Sequence, residues 1–199
     1  MRSARLEAFS DGVLAVIITI MVLELKLPEG HSLGAFFHHT GLSLVTYLLS
    51  FVYVGIYWSN HHHLFHVAEQ VDGAVLWANL HLLFWLSLIP FSTAWMSEHR
   101  FPPIPTAVYG IVLLGAAIAY VILQTALLRA EGEDSRLRIA IGTDTKGKIS
   151  PFLYCLGIGL SFAEPWLGLV MYVLVALIWL VPDRRLERHL TAAPADPRE

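Results

Sequence analysis

The stretch Arg5-Leu-Glu-Ala-Phe9-Ser10-Asp11-Gly12-Val-Leu-Ala-Val16-Ile-Ile-Thr19-Ile20-Met-Val-Leu23-Glu-Leu-Lys26-Leu27 decides how the rest of the chain is read. From Phe9 onward it is mostly apolar, and a helix needs about 20 such residues to cross the hydrocarbon core of a bilayer. Turned at about 100° per residue, Phe9, Gly12, Val16, Thr19, Ile20, Leu23 and Leu27 fall within about 60° of Arg5, whereas Asp11 falls at about 240°. One face therefore starts with an arginine and continues as bulky apolar residues with a single threonine. Such a stripe serves helix packing within one subunit, or it serves the convergence of several copies on a common axis. In the second case Val16, Ile20 and Leu23 form apolar rings and Thr19 a ring of hydroxyls, a constriction that stops ions by dewetting when narrow.

The composition places this helix in lipid. The 199 residues carry 13 Lys+Arg against 16 Asp+Glu, a net charge of -3, with 15% charged and 56% hydrophobic residues, and a mean hydropathy of +0.60. Soluble domains carry roughly a quarter charged residues, so a water-soluble enzyme is a poor fit. No basic stripe is present to grip phosphates, which argues against a nucleic-acid partner. The single cysteine, Cys155, has no second thiol in the chain and reads as a small buried hydrophobe.

Six apolar windows follow along the chain, at about residues 9–27, 41–60, 73–97, 104–128, 149–163 and 166–182. Glu164-Pro165 separates the last two as a tight turn, since one long hairpin dipping into lipid would bury more polar groups than two spans. The expectation is an all-α membrane protein with six transmembrane helices, one domain over residues 1–199 and no soluble domain. Arg2 and Arg5 ahead of an apolar run resemble a secretory leader. Glu7 and Asp11 interrupt that pattern, and no small-residue cleavage site comes before Pro28, so the first helix is read as retained. With the N-terminus inside, eleven of the 13 Lys and Arg fall on the inner side, against Lys26 and Arg100 outside. The positive-inside rule then puts both termini in the cytoplasm, with Trp58 and Trp77 at the inner interface and Trp95 and Trp166 at the outer one. The pieces left outside the membrane, 29–39, 129–148 and 191–199, are too short for a catalytic domain, so no enzyme is expected. No repeat relates the two halves, which favours a site shared between chains.

Asp11 and its surroundings carry the remaining chemistry. Ser10 reads as an N-cap and Asp11 as a first-turn carboxylate at the positive end of the helix dipole. Asp11 also has two sets of partners at the same depth: Asn60-His61-His62-His63 with His66, and Asn79 with His81. A carboxylate among histidines that titrate near neutrality also allows a proton-coupled cation carrier using Asp11 and the His cluster. His62 and His66 share a helix face at a spacing that metals use, but further ligands are lacking, so neither metal nor haem is expected.

Arg5-x-x-x-Phe9-Ser10-Asp11 with Gly12-Val13, then Tyr57-Trp58-Ser59-Asn60-His61-His62-His63-Leu64-Phe65, Leu76-Trp77-Ala78-Asn79-Leu80 and Pro90-Phe91-Ser92-Thr93, together resemble the transmembrane protein 175 family of potassium channels, which occurs in lysosomes and in bacteria. The likeness is clearest from Arg5 to Thr93. It implies a single six-helix unit of the bacterial kind, in a cell membrane, assembling as a homotetramer around the first helices and conducting potassium with no cofactor. It further implies a constriction at Val16, Ile20 and Leu23 with Thr19 as a selectivity layer, and a structural network of Arg5, Phe9, Ser10, Asp11, His62, His63 and Asn79. The chain has no TVGYG filter, in keeping with that family. Val16 is smaller than the family's usual Ile or Leu, which implies a wider inner ring.

Overall fold

The computed structural model describes residues 3–25, 27–28, 30–68, 70–98, 101–132, 135, 137–138 and 145–180. Among these the regular structure is all helical, with no strand. The first element, α1, runs from Ser3 to Leu23, two turns earlier than the apolar window suggests. Ser10 is therefore not an N-cap: it sits inside the helix, and its Oγ donates to the Leu6 carbonyl at 2.9 Å. Arg5 and Glu7 are good helix formers, so the helix extends past the apolar boundary into polar sequence. Asp11 accordingly stands in the third turn, beyond the reach of the dipole's end.

A short helix, α2 (Leu33–His39), leads into α3 (Gly41–Val67), which carries the whole histidine cluster on its last two turns. The third apolar window is broken into α4 (Gly73–Ser87) and α5 (Ile89–Ser97), joined at Leu88. The cause is Pro90, which has no N–H and whose ring would strike the carbonyl four residues back. Asp72 caps α4 by accepting the Val75 N–H at 2.9 Å. The chain continues as α6 (Pro103–Glu131), α7 (Thr145–Ala163) and α8 (Pro165–Leu180). Pro165 opens α8 at the position where a missing N–H costs least, so Glu164 makes the tight turn that the sequence indicates.

Among the described residues, four helical stretches are long and apolar enough to cross a membrane: Ser3–Leu23, Gly41–Val67, Gly73–Ser97 and Pro103–Glu131. The helix α8 is apolar but shorter, and α7 begins with polar Thr145, Lys146 and Lys148. The orientation count leans partly on Lys26, Arg100, Arg136 and the arginines after Pro182, all of which lie outside the described residues, as do the end of the sixth window and the C-terminal tail.

The long helix α6 is the hub, packing against α4, α5, α7 and α8, while among the described residues α1 packs chiefly on α3, α4 and α5. Small residues allow the hub to be approached closely. A Cβ on Gly115 would lie 2.3 Å from the Trp85 ring of α4, so only glycine admits that indole. At the α7–α8 contact a Cβ on Gly168 would lie 2.8 Å from the Gly157 carbonyl oxygen, a backbone atom that cannot swing aside. Hydroxyls tie the centre together: Ser50 meets Thr93 at 2.7 Å and Tyr109 at 3.0 Å, and Tyr53 donates to the Tyr172 carbonyl. In lipid, where water cannot substitute, such internal pairing is what keeps polar groups inside a bundle.

Candidate permeation face and its supporting network

The helix α1 has two unlike sides. Leu6, Ser10, Leu14, Ile17 and Met21 are buried against the bundle. On the opposite side Phe9 is 53% exposed, Val16 54%, Ile20 42% and Leu23 80%. Arg5, Gly12 and Thr19 are exposed on that same side. The stripe read from the sequence is therefore not used for packing within the subunit. Thr19 Oγ1 donates to the Val16 carbonyl at 2.8 Å, which satisfies its proton locally and leaves its oxygen as an outward acceptor. Beside the stripe lies an open groove of about 760 Å³ between α1 and the α4–α5 break, walled by Phe9, Gly12, Val16 and Ile20 on one side and Pro90 and Phe91 on the other.

Behind the stripe a buried chain of hydrogen bonds holds α1 to its neighbours. Asn79 Nδ2 donates to Ser10 Oγ at 2.9 Å, and His61 Nε2 meets Asn79 Oδ1 at 2.8 Å. An amide oxygen only accepts, so His61 carries its proton on Nε2. All three side chains are at most 1% exposed, and His61 Nδ1 is the buried side-chain polar atom without a partner among the described residues. The chain links one residue each from α1, α3 and α4, which fixes the rotation of α1 and so the direction its stripe faces.

The structure sorts the histidine cluster differently from the sequence reading. It is His61, not His62 or His63, that enters the buried network with Ser10 and Asn79. His62 Nδ1 meets Glu7 Oε1 at 2.7 Å in a pair whose side chains are 48% and 22% exposed, and His63 turns back to the Ser59 carbonyl of its own helix. Asp11 takes neither of its expected partner sets: it accepts from the Trp58 indole at 3.1 Å. His81 likewise stays away from Asp11 and accepts from Trp85 Nε1 at 3.0 Å. Sequence reasoning thus missed Trp58 and Glu7 as partners, and it named His61 only as part of the cluster around Asp11 rather than as the partner of Asn79. A signal for His61 was present, since it sits four residues from both Tyr57 and Phe65, on the buried face of α3.

An all-helical bundle with several membrane-length helices and an exposed apolar stripe on its first helix defines a class, the multi-helix membrane proteins. The model of the family described as endosomal/lysosomal potassium channel TMEM175 matches residues 5–90. A protein named as a potassium channel from Chryseobacterium sp. (strain P1-3) is 55% identical over 190 residues, covering 96% of this chain and 98% of its own. Another, from Streptomyces collinus (strain DSM 40733 / Tue 365), is 32% identical over 211 residues, covering 97% and 98%. The chicken protein named endosomal/lysosomal proton channel TMEM175 is 29% identical over 134 residues, 65% of this chain but 26% of that longer protein. Among solved structures, the lysosomal potassium-selective channel TMEM175 homolog from Chamaesiphon minutus superposes with a TM-score of 0.74 at 29% identity, covering 92% of this chain and 97% of that one. The chain belongs to the TMEM175 family, which is a family of ion channels rather than of enzymes.

Proposed function

We propose that this chain is one subunit of a potassium-selective channel in a bacterial cell membrane, a homotetramer whose pore is lined by the exposed stripe of α1. Each subunit crosses the bilayer six times, with α4 and α5 together forming one crossing and both termini cytoplasmic. Arg5 stands at the inner mouth. Val16, Ile20 and Leu23 form successive apolar rings, with Thr19 as a layer of hydroxyl oxygens between them. Ser10 and Asn79 hold the helix from behind, Asp11 braces its flank against Trp58, Phe9 stands on the stripe itself, and His62 and His63 lie at its inner end.

The observation that carries this reading is the two-sidedness of α1: its buried side is fully used and its other side is apolar, continuous and unoccupied. Relatives matching nearly the whole chain are named potassium channels, which supplies the ion. An apolar ring selects by dehydration, because an ion must shed part of its water to pass, and potassium holds water less tightly than sodium. Oxygens such as Thr19 Oγ1 offset part of that loss. Liposomes holding the purified protein test the reading: a potassium gradient should drive a larger flux than an equal sodium gradient, and the two should converge in Leu23→Ala. Equal fluxes through the unaltered protein would overturn it.

The carrier alternative, with protons passing between Asp11 and the histidines, is less well supported, since Asp11 meets an indole and His61 meets an amide. Protons remain a second permeant ion to measure, because the longer vertebrate relatives are named proton channels.

A further inference from the structure

Two polar side chains stand on outward faces of the subunit where lipid would suit neither. His81 is exposed on α4, about 12 Å along the axis from Gly73. Its Nε2 accepts from Trp85 Nε1 at 3.0 Å. An indole can only donate, so the neutral imidazole keeps its proton on Nδ1, and that N–H has no acceptor among the described residues of its own subunit. Asp11 is partly exposed on α1, also about 12 Å from the helix start at Ser3. One of its oxygens accepts from Trp58 and the other has no donor among the described residues.

The two groups lie on opposite flanks of the stripe. The α4–α5 wall stands on the side of Phe9, Ile20 and the groove, whereas Asp11 faces Trp58 of α3 on the other side. Rotational symmetry about an axis in front of α1 makes every contact heterologous, so the α4 flank of one subunit meets the α1–α3 flank of the next. That brings a donor without an acceptor against a carboxylate oxygen without a donor, at matching depth, between the exposed indoles of Trp77 and Trp58 (75% and 49%).

We propose that His81 Nδ1–H donates to the Asp11 carboxylate of the partner subunit, so that the α4 flank carrying Trp77 and His81 is one half of the subunit interface and the α1–α3 flank is the other. The occupant of the α4 face is therefore a second copy of this chain. Ionised and protein-surrounded, such a pair is a charge-assisted hydrogen bond and replaces a polar face that hydrocarbon penalises. The inference rests on the tetramer reading above and is tested apart from it.

The experiment uses the full chain with Cys155→Ala, reconstituted in lipid nanodiscs, and a short bis-methanethiosulfonate linker. Light scattering first measures the oligomer, and a monomer would overturn the tetramer reading together with this interface. In a tetramer, Asp11→Cys combined with His81→Cys should yield dimers, trimers and tetramers on a denaturing gel, and either cysteine alone should yield monomer. A tetramer that gives no ladder with both cysteines would overturn the interface and leave the tetramer standing. A second variant guards against distortion at Asp11. His81→Leu, well suited to lipid, should weaken assembly about tenfold per interface, and His81→Gln, which keeps an N–H donor, should recover most of it. Equal assembly in His81→Leu and the unaltered chain would place the α4 face against lipid instead.

Discussion

Leu23 on the exposed side of α1 and Asn79, which reaches from α4 to the buried side of α1, divide the two roles that the proposed pore gives this helix. Substitutions at each should separate permeation from folding. Leu23 is 80% exposed, so Leu23→Ala removes little packing within a subunit. It should leave thermal stability nearly unchanged while raising sodium flux relative to potassium in liposomes. Asn79 is fully buried and joins Ser10 to His61. Asn79→Leu strands both partners, each at a cost of about 1–3 kcal/mol, so thermal unfolding in detergent should shift down by several degrees. An unshifted transition would show that Asn79 is dispensable to the fold. Asp11→Asn keeps an acceptor for the Trp58 indole, so the subunit should fold normally, and its effect should appear in assembly rather than in monomer stability.

At the scale of whole helices, most boundaries were legible. The apolar windows located every long helix, and Glu164-Pro165 marked the turn between the last two. The start of α1 and the split of the third span were not legible from hydropathy. Hydropathy marks where lipid begins, while a helix continues for as long as its residues tolerate helical geometry, and Pro90 breaks a stretch that remains apolar on both sides. Close packing between elements rests on glycines whose role hydropathy also conceals. Gly115→Ala would push a methyl group into the Trp85 ring, and overpacking of this kind costs roughly 1–3 kcal/mol. Circular dichroism should show unchanged helix content with an earlier melt. Gly168→Ala should behave at least as badly, because the obstacle there is the Gly157 backbone. A Gly115→Ala protein as stable as the parent would mean that the α4–α6 contact is loose.

For the molecule as a whole, the decisive quantity is how many copies surround the stripe. In nanodiscs the mass should correspond to four chains, and potassium flux should vanish when dilution in detergent before reconstitution leaves only single subunits. Flux that persists from isolated monomers would remove the shared axis. The same preparation tests orientation: a cysteine at Ser59 on a Cys155→Ala background should react with a membrane-impermeant thiol reagent only from the cytoplasmic side.

The amino-acid sequence by itself determined that the chain is helical, lives in lipid and carries one helix with an apolar stripe behind a single arginine, because those properties follow from local composition and a period of 3.6 residues. Only the tertiary structure decided that the stripe is left unburied, that His61 rather than His62 or His63 enters the network with Asn79, and that Asp11 faces Trp58. Those outcomes depend on the rotation of α1, α3 and α4 about their own axes, which is set by contacts between residues tens of positions apart and leaves no periodic mark in any one helix.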